Sequence, residues 1–111
     1  MIRQVTLIGV LALAAPAFAQ DAAKGKQVYE AASPKCKMCH SVAGEGNAKG
    51  NLDSVGNTLK AEEIKAWMRT PKEMSAKAKA ERKPPMIAYP ADKISDADLD
   101  ALAAYLLTLK K

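Results

Sequence analysis

The chemistry of this 111-residue chain is concentrated in five consecutive residues, Cys36-Lys37-Met38-Cys39-His40, which hold both cysteines and the only histidine. C-x-x-C-H at this spacing suits covalent attachment of a c-type haem, with two thioethers fixing the macrocycle edge and the adjacent His40 brought under the iron. One helical turn aligns the two sulfurs and leaves the next side chain pointing at the metal. Other chemistries fit less well. A thioredoxin-like C-x-x-C would follow a strand and open a helix, and no β-rich run precedes Cys36. A zinc site needs a second Cys/His pair, which is absent, and a plain Cys36–Cys39 disulfide is a further alternative. A single histidine excludes a two-His zinc centre, a bis-His haem and a Ser-His-Asp enzyme with a spare metal site. Two cysteines exclude a disulfide-dense mini-protein.

The elements that would position this motif begin after an expected leader. Arg3 gives a basic start, Val5 to Ala15 is almost continuously apolar, and Ala17-Phe18-Ala19 has the small-x-small form of a signal-peptidase site. Residues 1–19 are therefore expected to be a cleaved secretory signal, leaving a single domain over residues 20–111. The apolar run is shorter than the roughly 20 residues that span a bilayer, and no cysteine follows the cut to carry a lipid. A retained membrane-anchoring helix is the competing reading. Net charge is +5, with 17 Lys+Arg against 12 Asp+Glu, and falls only slightly once Arg3 is removed. Although 49% of residues are hydrophobic, many are Ala, which buries little area. Small exported domains usually need a staple such as a disulfide, metal or cofactor, so a bound group is expected to fill part of the interior.

Helical periodicity dominates the mature chain, and no run of alternating β-branched residues points to a strand. Gly25, Val28, Tyr29 and Ala32 mark one buried helical face, with Asp21 as the expected N-cap. A middle helix over about Ala61 to Arg69 places Ile64, Trp67 and Met68 together and ends before Pro71. Ser95 and Asp98 form a capping-box-like start to a last helix, whose apolar stripe is Leu99, Leu102, Ala103, Leu106 and Leu109, with Tyr105 beside it. The expected class is all-α.

From Gly25 to Leu109 the chain resembles the small class I c-type cytochromes of bacteria. The resemblance is carried by the ordered set of Gly25 and Tyr29, the Cys36–His40 motif, Thr70-Pro71, a Pro-Pro-Met segment and Ala104-Tyr105-Leu106. It implies three main helices around one covalently bound haem c, with the first and last helices crossing and Tyr105 fitted against Gly25. The resemblance also implies one-electron transfer rather than enzyme catalysis. Many relatives carry Gly-Pro-x-Leu after the haem motif, and the Pro carbonyl there accepts from the proximal histidine. Here the stretch is Gly50-Asn51-Leu52-Asp53, which leaves the partner of His40 open between the Gly50 and Asn51 carbonyls.

The sixth position of the iron has to come from something other than histidine. Met38 lies between the attachment cysteines, on the wrong side. Met68 shares an apolar face with Ile64 and is expected in the core, whereas Met74 is expected in a mobile polar loop. Met86 follows Pro84-Pro85, where the fixed φ angles of two prolines can present a side chain without helical support. Its separation from His40 and its place before the last helix match the short members of the family. Cys36, Cys39, His40 and Met86 are therefore the expected haem residues. Trp67 is a further candidate contact, either donating its indole N–H to a propionate or simply packing.

Lys35 and Lys37 flank Cys36, and the segment 72–83 holds Lys72, Lys77, Lys79, Arg82 and Lys83. A basic surface near the haem edge would steer the protein to redox partners with acidic docking surfaces, although an ordinary solvated face has the same composition. Nucleic acid is not an expected partner, and a monomer is expected. Three functions are compatible with the residues: a periplasmic electron carrier, an electron-entry subunit of a larger oxidoreductase, and a haem sensor or enzyme with an open sixth position.

Overall fold

A computed structural model describes residues 17–111, with side chains from Asp21 onward; the expected leader lies outside the described residues up to position 16. Among the described residues, five helices and one minimal hairpin follow one another: α1 Ala17–Ala31, β1 Ser41–Val42, β2 Glu45–Gly46, α2 Val55–Thr58, α3 Ala61–Arg69, α4 Pro71–Ala78 and α5 Asp96–Leu107. Two single 3-10 turns, Cys36–Met38 and Ala48–Gly50, lie on either side of the hairpin.

The scaffold is the pairing of α1 with α5, the most extensive contact between elements. Val28, Tyr29 and Ala32 from the first helix region meet Leu99, Leu102, Ala103 and Leu106, all buried. Gly25 explains how the two helices approach so closely. A Cβ there would overlap the Ala101 carbonyl and lie 2.6 Å from Tyr105 Cβ, so only glycine admits this crossing. The rings of Tyr29 and Tyr105 then stack obliquely, with centroids 5.9 Å apart and planes tilted by 55°, a favoured aromatic arrangement.

Local chemistry accounts for the helix ends. The Ser95 side chain accepts from Asp98 N at 3.2 Å, the N-cap expected from the sequence. At α3, the Lys60 backbone N–H donates to Glu63 Oε1 at 3.1 Å. Glu62 and Glu63 lie in its first turn and Arg69 in its last, as the helix dipole favours. Ile64 and Met68 on this helix are buried in the core beside α5.

Three local expectations change. Asp21 is inside α1 rather than at its cap, because the alanine-rich stretch ahead of it continues the helix back to Ala17. Pro71 ends α3 but also starts α4 at a first-turn position, where its missing N–H is no loss. Met74 accordingly sits on that helix and not in a loop. The third change is the hairpin, in which Ser41 pairs with Gly46 and Val42 with Glu45. Its turn residues Ala43 and Gly44 have φ of 52° and 83°, and Asp53 Oδ1 holds the Ala43 N–H at 2.8 Å. Two paired residues per strand are too few to leave an alternating pattern in the sequence. No helix among the described residues is long and apolar enough to cross a membrane.

Candidate functional site

The attachment motif is folded by its own backbone. Cys36 opens a 3-10 turn, and its carbonyl accepts from Cys39 N at 3.1 Å and His40 N at 2.8 Å. Both cysteines and the histidine are thereby drawn into one tight loop. Asn47 pins that loop from outside: its backbone N–H reaches the Lys37 and His40 carbonyls at 3.1 and 3.0 Å, and its side-chain amide donates to the Met38 carbonyl at 3.2 Å. The β1–β2 hairpin exists to return the chain for this contact.

His40 is half-buried, and its Nδ1–H donates to the Gly50 carbonyl at 3.0 Å. A carbonyl oxygen only accepts, so the proton resides on Nδ1 and Nε2 keeps its lone pair. Burial lowers the His40 pKa below its ordinary value, against the opposing pull of the Gly50 carbonyl, which keeps the ring neutral. This resolves the choice left open by the missing proline in favour of Gly50. The second 3-10 turn presents its carbonyl, with Gly50 N bonded to Asn47 O at 3.1 Å. A side chain at position 50 would overlap the Cys39 carbonyl and come within 2.9 Å of His40 Nδ1.

Cys36 and Cys39 are not joined to each other; Cys36 is buried and Cys39 partly exposed. Burial pushes the Cys36 thiol up to about 11, the opposite of the depressed values at redox-active C-x-x-C centres. Among the described residues no three His, Cys, Asp or Glu side chains gather as a metal-binding cluster, which disfavours the zinc reading. The donor set instead fits a covalently attached haem: two thiols one turn apart, one neutral imidazole with a free Nε2, and apolar walls. Tyr29 and Tyr89, buried close to Cys36, have hydroxyls pushed up to about 12, first by burial and then by that cysteine.

Met86 is partly buried and packs against the core cluster that contains Cys36, Ile64 and Met68. Met68 is a core residue at 5% exposure, whereas Met38 is 68% exposed, as their positions in the sequence imply. Trp67 is half-buried on α3. Sequence reasoning missed Asn47 and Tyr89, and read Arg82 only as part of a basic surface. Arg82 Nη2 donates to the Cys39 carbonyl at 3.4 Å, and Tyr89 OH donates to the Pro34 carbonyl at 2.6 Å. None of these three contacts stands at a motif-defined spacing, so no sequence signal marked them.

Comparison with known proteins agrees with this geometry. The cytochrome c family matches residues 22–110. Cytochrome c-553 from two strains of Helicobacter pylori, 26695 and J99, is 34% identical over 110 residues, covering 99% of this chain and 100% of each relative. No solved structure matches significantly. With the folded C-x-x-C-H loop, the α1–α5 crossing and these relatives together, the chain belongs to the cytochrome c family, electron-transfer proteins that carry covalently attached haem c rather than enzymes.

Proposed function

We propose that this protein is an exported, monomeric electron carrier with one haem c, attached through Cys36 and Cys39 and ligated by His40 and Met86. The observation that carries the ligand assignment is the His40 Nδ1–H bond to Gly50 at 3.0 Å, which leaves Nε2 unprotonated and able to ligate iron. When bound, the haem would supply one-electron Fe(III)/Fe(II) chemistry, with His40 and Met86 as the residues that would hold its iron and tune its potential. The chain's own residues do the rest. Cys36 and Cys39 hold the group by thioethers, and the Gly50 carbonyl fixes the His40 tautomer and increases its basicity. Met86 would supply the second iron ligand, and Trp67 would contribute an apolar wall or an indole N–H for a propionate.

Residues 1–19 act as the export signal, cut before Gln20, so that the carrier works in the periplasm. Exposed Lys35 and Lys37, with Lys72, Lys77, Lys79, Arg82 and Lys83, give a basic surface suited to partners with acidic docking faces, and association is expected to weaken with salt. Intact-mass measurement of protein purified from its native compartment tests the reading. A chain starting at Gln20 with one added haem mass supports it; a chain lacking the haem mass overturns it.

A further inference from the structure

Residues 81–88 carry Met86 yet have no scaffold of their own: among the described residues, none of their backbone groups hydrogen-bonds to another backbone group. Ile87, the neighbour of Met86, is 49% exposed. This strap is held at its ends. On the N-terminal side Arg82 touches the Cys39 carbonyl at 3.4 Å. On the other side Tyr89 is fixed through its backbone N–H to Met68 O at 2.8 Å and its hydroxyl to Pro34 O at 2.6 Å.

Arg69, at the C-terminal end of α3, joins the second anchor to two further points. One guanidinium nitrogen donates to the Tyr89 carbonyl at 2.7 Å and to the Ile94 carbonyl at 2.8 Å, and the other donates to Asp96 Oδ1 at 2.8 Å. A single rigid fork therefore ties the exit of the strap, the turn after it and the first turn of α5 to the helix that carries Ile64, Trp67 and Met68. Asp96 is almost fully exposed while Arg69 is 23% exposed, so the two carbonyl contacts count for more than the ion pair. Met86 lies three positions before Tyr89, a reach of at most about 10 Å. The position of the anchor thus limits where the methionine sulfur can sit.

We propose that Arg69 is a positioning residue for the distal ligand, latching the Met86 strap to α3 and so controlling how readily another ligand takes the place of Met86. This rests on the His40/Met86 reading above. Lysine cannot replace the fork, because a single ammonium nitrogen does not reproduce the two separated nitrogens that serve these three acceptors.

Imidazole titration of the ferric holoprotein, followed in the Soret band, tests the latch. Imidazole binds only molecules whose methionine is detached, so its apparent affinity scales with that fraction. Arg69→Lys and Arg69→Gln are expected to tighten imidazole binding about tenfold, equivalent to about 1.4 kcal/mol. Lys65→Met is the control, since Lys65 pairs with Asp100 at 2.5 Å and joins α3 to α5 without touching the strap. It is expected to lower the melting temperature but to leave imidazole affinity within about twofold of wild type. Equal affinities in wild type and both Arg69 variants overturn the latch, as does a Lys65→Met effect as large as that of Arg69→Lys. Met86→Ala separates the two layers. If it binds imidazole far more tightly while the Arg69 variants do not, the latch alone fails; if it too is unchanged, the ligand assignment fails and the latch with it.

Discussion

Gly50→Ala would place a methyl carbon against the Cys39 carbonyl oxygen, 2.8 Å from an Arg82 guanidinium nitrogen and 2.9 Å from His40 Nδ1. The guanidinium can swing away, but the Cys39 and His40 backbone is held within the attachment loop by the bonds to Cys36 O. The 50–52 segment must therefore withdraw, and the His40–Gly50 hydrogen bond is lost. Overpacking costs about 1–3 kcal/mol and the lost hydrogen bond roughly 0.5–1.5 kcal/mol. Holoprotein stability should fall by about 2–4 kcal/mol, measured by denaturant unfolding. The bond also makes the imidazole a better donor, which favours Fe(III). Losing about 1 kcal/mol of that preference raises the reduction potential by roughly 40 mV. Gly25→Ala provides the comparison: its methyl would strike the α1–α5 crossing, so it should destabilise comparably and leave the potential alone. A Gly50→Ala protein that loses stability but keeps the wild-type potential would refute the proposed role of this carbonyl.

Tyr29 carries a buried hydroxyl with no hydrogen-bond partner among the described residues, and Tyr29→Phe should raise stability at pH 7 by about 1 kcal/mol. The same hydroxyl is pushed from 10 up to about 12, so the fold keeps a proton that the unfolded chain releases above pH 10. Stability is therefore independent of this group below pH 10 and falls as pH rises from 10 through 12; thermal melts over that window should fall less steeply in Tyr29→Phe. Ser95→Ala removes the cap bond to Asp98 N and should cost about 1 kcal/mol by thermal unfolding. Without haem, Cys36→Ala/Cys39→Ala protein should be largely unfolded by circular dichroism, because the side-chain core of so small a domain buries too little area alone; native helicity would contradict this.

Much of the frame was legible because it rests on short-range pattern. The four positions Gly25, Val28, Tyr29 and Ala32 are all buried, α3 runs over the expected residues, and Ser95 caps α5. What escaped the sequence depends on contacts between distant residues or on very short elements. The hairpin is too brief for periodicity, and Asn47 matters through carbonyls that any residue type would present. Met74 looked polar and loop-like from its neighbours Lys72, Glu73 and Ser75, yet Pro71 at the first turn organises a helix there. Arg69 read as the last residue of an amphipathic helix; its three acceptors at 89, 94 and 96 meet only in the folded chain. The choice of Gly50 as the partner of His40 was open in sequence because a backbone carbonyl leaves no compositional trace once the usual proline is missing.

Carbon monoxide binding tests the central claim, that Met86 closes the iron opposite His40. At neutral pH the ferrous wild-type protein should resist carbon monoxide, whereas Met86→Ala should bind it readily and show a changed ferric absorption spectrum. A wild-type protein that binds carbon monoxide readily, together with a Met86→Ala ferric spectrum identical to wild type, would contradict the assignment.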